Sequence, residues 1–110
     1  MNAPTLLDTD LEAQWQTVVD DERYRIRDLQ MGSFTLSETR LHAGQSTKGH
    51  QHPWPEVYMG TEGRGVLYLD GDEGHPLLPG ARYLVNPGVH HRVVTSTGVT
   101  FTCVFEGPRR

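Results

Sequence analysis

From Tyr24 onward, apolar and polar residues alternate with a period of two, in short runs separated by glycine. That period sends successive side chains to opposite faces of a strand, so each run predicts a strand with one apolar and one wet face. The runs are RYRIRDLQM (23–31), SFTLSETRL (33–41), STKGHQH (46–52), EVYMG (56–60), GVLYLD (65–70), RYLVN (82–86), HRVVTS (91–96) and VTFTCVFE (99–106). Turns fall at Gly32, Ala43-Gly44, Gly60–Gly65, DGDEG (70–74), PGAR (79–82), NPG (86–88) and STG (96–98). Short strands at regular spacing without helical crossovers predict an all-β sandwich or small barrel and argue against parallel βαβ folds.

Ahead of the strands the period is helical. Thr9-Asp10-Leu11-Glu12 reads as a capping box, and Leu7, Leu11, Trp15, Val18 and Val19 share one face, predicting a short helix over about residues 9–20. Asp20, Asp21 and Glu22 put the wrong charge at its C-terminal end, which leaves a looser arm as the alternative. The expected organisation is an N-terminal helical or extended arm (1–22), one β-domain (23–107) and a tail (108–110).

Composition narrows the functions. A chain of 110 residues with 35% hydrophobic content forms one domain, with a wet sheet face or a partner subunit covering part of it. The net charge of −4 and scattered basic residues argue against nucleic acid or an anionic membrane as partner; the pair Arg109-Arg110 is too short a run to bind DNA. The N-terminus has no basic segment followed by an apolar core, no run approaches the roughly 20 apolar residues of a membrane helix, and Cys103 is alone; the expected compartment is the cytoplasm.

The chemistry concentrates in Gly44–Gly63, GQSTKGHQHPWPEVYMGTEG. His50 and His52 leave the same face of a strand, and Pro53 and Pro55 mark a turn that returns Glu56 toward them. Two imidazoles and a carboxylate suit zinc, iron, manganese or nickel. Of the other histidines, His90 and His91 follow the NPG turn and are candidates for a fourth ligand, whereas His42 and His75 read as ordinary polar residues. Lys48 shares the face of His50 and His52, and Tyr58 that of Glu56. Lys48 is a candidate anion contact or a solvent-reaching side chain; Tyr58 is a proton carrier, a substrate contact or an aromatic wall. Trp54 covers the mouth or packs on a second subunit, Arg40 and Arg92 are candidates for an acidic substrate, and Cys103 reads as a small core residue.

These residues resemble the two motifs of the cupin superfamily, across about residues 33–106. The first motif reads Gly44, QSTKG, His50, Gln51, His52, PWP, Glu56, VYMGTE, Gly63. The second reads Gly80, ARYLV, Asn86-Pro87-Gly88, Val89-His90, His91, with Asn86 where proline is usual and Thr95 where asparagine is usual. The resemblance implies a single jelly roll (double-stranded β-helix), a homodimer, and one divalent metal ion held by His50, His52, Glu56 and His91. TKGHQH with EVY and GRG is also similar to cupin-type phosphoglucose isomerases, which place a substrate phosphate nearby, although PWP is a shorter spacer than theirs. A metal-dependent enzyme acting on a small polar or anionic molecule is therefore expected, with isomerase, epimerase, cyclase or lyase chemistry ahead of an iron dioxygenase. Glu56 and Tyr58 are the expected proton carriers, and Lys48, Tyr58, Trp54 and Arg92 the substrate contacts. A non-catalytic metal- or ligand-binding module and a structural subunit of a larger assembly are the other classes.

Overall fold

A computed structural model describes residues 8–110. Its elements are α1 (Asp8–Gln14), β1 (Gln16–Asp20), β2 (Tyr24–Met31), β3 (Phe34–Leu41), β4 (Glu56–Gly63), β5 (Gly65–Leu69), β6 (Glu73–Leu77), β7 (Arg82–Val85), β8 (His91–Val94) and β9 (Val99–Glu106). The strands form a six-stranded sheet, ordered β1-β2-β3-β9-β4-β7, and a three-stranded sheet, β6-β5-β8. All pairs are antiparallel, and the two sheets face each other as a jelly roll.

Alternation along the strands builds the core. Val99, Phe101 and Cys103 of β9 and Leu41 of β3 point inward into one cluster with Leu67, Leu77 and Val93 of the smaller sheet. Phe101, Leu67 and Leu77 are 2% exposed or less, and burying each contributes roughly 1.5–3 kcal/mol. The inward row of β3 turns polar beyond Leu41: Thr39, Ser37 and Thr35 are all buried. One end of the interior is therefore dry and the other lined with hydroxyls.

Three expectations change. The helix stops at Gln14, and Gln16–Asp20 pairs with β2 from Gln16↔Asp28 to Asp20↔Arg25. A helix this short is marginal without packing, and Thr17-Val18-Val19 is β-branched and gains a ladder instead. Leu7 and the cap side chain of Thr9 lie outside the described residues. Second, 46–52 is no continuous strand; it meets the small sheet through the isolated bridges Ser46↔Val94 and His50↔His91 and through the Thr47 hydroxyl, which accepts the Val93 N–H at 2.9 Å. Gly49 interrupts it at φ 53°, where a Cβ would stand 2.8 Å from the His90 ring. Third, β6 occupies the stretch EGHPL, whose Glu73 and Gly74 were expected in the DGDEG turn. An edge strand tolerates Pro76, and Gly74 admits Val66, whose Cγ1 would be 2.9 Å from a Cβ there. Among the described residues, no helix is long and apolar enough to cross a membrane.

Candidate metal centre

Glu56 opens β4, directly after the Pro53–Pro55 turn, and His91 opens β8. His50 is tied to His91 by two backbone hydrogen bonds, 3.0 Å from the His50 N–H to the His91 carbonyl and 2.9 Å in return. The Gly88 N–H donates to the His52 carbonyl at 2.8 Å, which docks the His-x-His segment on the NPG turn. These backbone ties bring together one ligand atom from each of His50, His52, Glu56 and His91, all within 4.8 Å of one another. His90 lies outside the cluster: its backbone N–H donates to Asp70, and its ring rests against Gly49.

The hydrogen bonds of the rings test whether a cation fits. His52 Nδ1 lies 2.7 Å from the Trp54 carbonyl and His91 Nδ1 lies 2.9 Å from the Val89 carbonyl. A carbonyl only accepts, so both rings carry their hydrogen on Nδ1 and, when neutral, a bare lone pair on Nε2. Both Nε2 atoms point at the same oxygen: His52 is 2.9 Å and His91 3.4 Å from Glu56 Oε1. His91 Nε2 is buried without a hydrogen-bond partner among the described residues. Two lone pairs facing one carboxylate oxygen in a buried site need a positive charge between them. A metal ion would supply it, with the Nδ1–H bonds fixing ring orientation from behind.

The electrostatics agree. Burial would raise the Glu56 carboxyl, but His91 and His52 outweigh it and hold it below the ordinary carboxylate range. Burial, helped by His91, lowers His50, so its lone pair is available at neutral pH. Burial pushes the Tyr58 phenol well up, with Cys103 and Glu56 adding to the effect, so Tyr58 keeps its proton.

His50, His52 and Glu56 of the cluster line a cavity of about 490 Å³, with His91 behind them. Lys48, Trp54 and Tyr58 are on its wall; Trp54 stacks on His52 at 4.4 Å and 3°, and Tyr58 lies edge-on to His91 at 5.6 Å. Arg92 and Arg40 are absent from the lining; the Arg92 guanidinium lies 4.4 Å over the Tyr68 ring instead. Among the lining residues that went unrecognised as such in the sequence, three bear chemistry of their own. Cys103 faces the cavity directly across the ladder from Tyr58, a placement the alternation of β9 already carried. Arg109 and Arg110 follow β9 as an apparent tail, yet Arg109 reaches inward to Asp28, and Arg110 lies 4.0 Å over Trp54. The signal for Arg109 was Asp28 itself, an acid on the inward face of β2 that needed a cation.

Residues 37–105 match the family described as Cupin domain. The chain belongs to the cupin family. It is 37% identical over 76 residues to the L-ectoine synthase of Nocardia farcinica, covering 68% of this chain and 58% of that enzyme's length. It is 28% identical over 95 residues to a dimethylsulfoniopropionate lyase of Ruegeria pomeroyi, covering 86% of this chain and 59% of the lyase. The fold superposes on an RmlC-like cupin from Shewanella frigidimarina with a TM-score of 0.77, 21% identity, and coverage of 89% and 88% of the two chains. Within the cupin frame, Thr95 has its own role: its hydroxyl donates to the Arg64 carbonyl and accepts the Gly98 N–H, closing the turn before β9.

Proposed function

We propose that this cupin is a metal-dependent enzyme that binds a small oxygen-bearing, anionic substrate at the His50, His52, Glu56 and His91 site. Its chemistry on this reading is non-redox, of the lyase, cyclase or isomerase kind. The observation that carries it is the convergence of two oriented Nε2 lone pairs on the Glu56 carboxylate at the cavity wall. A divalent ion held there supplies Lewis-acid polarisation of a substrate oxygen. Tyr58, kept as a phenol on the same wall, donates a hydrogen bond to that oxygen, and Glu56 and Tyr58 are the groups that handle protons. Trp54, stacked on His52, covers one flank against water, and Lys48 adds positive charge to the lining. The similarity to a synthase and a lyase supports the non-redox branch.

Metal analysis of anaerobically purified protein, followed by oxygen-electrode and deuterium-exchange assays on small hydroxy and amino acids, tests this. Solvent deuterium should enter the product without oxygen uptake. Stoichiometric oxygen consumption would replace the proposal with an iron dioxygenase, and tight ligand binding without turnover would leave a binding module.

A homodimer is part of the same proposal. On the outward face of the large sheet the register runs Leu36↔Val104, Val104↔Val57 and Val57↔Leu84, and Leu84 is 61% exposed. Phe34 and Pro55 flank this row in one shallow groove. A second copy covering it removes apolar surface from water.

A further inference from the structure

Arg109 enters the cavity from beyond the last strand, where Gly107 turns the chain: its N–H donates to the Ser33 carbonyl at 2.8 Å and its carbonyl accepts the Thr35 hydroxyl at 2.6 Å. The guanidinium then grips Asp28 with both edge donors, Nε to Oδ2 at 2.5 Å and Nη2 to Oδ1 at 2.8 Å, and Nη2 also donates to Ser37 at 2.9 Å. Asp28 and Ser37 are 8% and 2% exposed, so the clamp is anchored on buried groups, while the Arg109 side chain itself stays 39% exposed at the cavity. A guanidinium has five N–H donors. The clamp uses three of them, and Nη1 keeps both its hydrogens without a partner among the described residues. Asp28, Ser37, Cys103 and Tyr58 form one inward row across β2, β3, β9 and β4. Arg109 thus faces the cavity from the β2–β3 side, two strand spacings, about 10 Å, from the β4 strand that bears Glu56. The chain carries net charge −4, yet the lining contains Lys48, Arg109 and Arg110 with Glu56 as its one acid.

We propose that Arg109, aimed by Asp28 and Ser37, is a specificity residue that binds a carboxylate at the end of the substrate remote from the metal ligands. A planar fork clamped along one edge offers its free donors without losing side-chain entropy when the ligand arrives, and it suits a carboxylate better than an ammonium would. The inference rests on the cavity being a small-molecule site, and it adds the second functional group such a molecule carries.

The test compares dicarboxylates from malonate to adipate with monocarboxylates of equal length, succinate against butyrate for example, by calorimetric titration of the holoprotein. The best-fitting dicarboxylate should bind at least about ten-fold more tightly than its monocarboxylate, the scale of a charge-assisted hydrogen bond. Arg109→Ala exposes Asp28 to unpaired burial, so the double variant Asp28→Asn, Arg109→Gln keeps a neutral hydrogen-bonded pair and serves as the second arm. There the preference should fall to about two-fold or less, with monocarboxylate affinity and near-ultraviolet circular dichroism unchanged. No preference in the parent protein at any length, or a preference that survives the double variant, overturns the assignment; loss in Lys48→Ala instead would move the anchor there. Failure of metal binding or turnover would sink the proposed function, whereas the dicarboxylate preference is read as a ratio and answers separately.

Discussion

Replacing His91 with leucine separates a metal ligand from a core histidine, because only a ligand ties the zinc-induced stabilisation to this side chain. The His91 side chain is 0% exposed, its Nδ1 is held by the Val89 carbonyl, and its Nε2 has no hydrogen-bond partner among the described residues. Leucine is of similar size, so the cavity penalty is small; it removes a buried unsatisfied nitrogen but also takes the donor from the Val89 carbonyl, opposing effects of roughly 1–3 kcal/mol each. Metal-free His91→Leu should therefore unfold within about 1 kcal/mol of the metal-free parent. Zinc changes the comparison. At a free concentration 1,000 times the dissociation constant, binding to the folded state alone stabilises the parent by about 4.1 kcal/mol. Disturbing only the outer-shell partners of metal ligands costs 10- to 100-fold in affinity, so losing a ligand should cost at least about 100-fold. The same zinc is then only about 10 times the variant's dissociation constant and stabilises it by about 1.4 kcal/mol. With about 4 °C per kcal/mol for a domain of this size, the zinc-induced rise in Tm should shrink from about 16 °C to about 6 °C. Differential scanning fluorimetry with and without zinc reads this directly, with mass-spectrometric metal content as the companion measurement. His90→Ala should keep the full rise, since that ring lies outside the cluster. A full zinc response in His91→Leu, or its loss in His90→Ala, refutes the ligand assignment.

Other outcomes follow from the same coordinates. Gly63→Ala should destabilise the fold by more than about 2 kcal/mol in urea titrations, because Gly63 has φ 69° and a Cβ would stand 2.2 Å from the Gly98 carbonyl oxygen; a change under 0.5 kcal/mol would contradict the close approach of β4 to that turn. Leu84→Glu should shift light-scattering mass from dimer to monomer with metal content unchanged, and a monomeric parent protein would remove the outer-face interface. In metal-free protein the depressed Glu56 carboxyl means the folded chain binds fewer protons than the unfolded one near and below pH 4.5. That contribution to stability is complete above this value and disappears as pH falls through the lower folded value, so Glu56→Gln should flatten the acid side of the stability profile; an unchanged slope would show that the carboxylate gains nothing from its imidazole neighbours.

Much of this was written in the chain, and the unread parts share a cause. Period two exposed β2, β3, β4, β5, β7, β8 and β9, because burial on one face forces alternation whatever the neighbours are. It could not expose β6, where a glycine and a proline serve close approach and an edge position rather than a turn, nor the switch from helix to strand at Gln14, decided by a ladder to β2. The grouping of His50, His52, Glu56 and His91 was legible although the strand thought to carry the first two is absent, since two backbone bonds between His50 and His91 achieve the same placement. Side chains whose position depends on a distant partner were not legible. Arg92 looked available and is held over Tyr68, while Arg109 looked like a solvent tail and is drawn inward by Asp28, eighty-one positions earlier. An inward-facing acid is the local mark of such a contact. Burial makes a lone carboxylate so costly that its parity on β2 already required a cation, and the fold left the identity of that cation to the chain beyond β9.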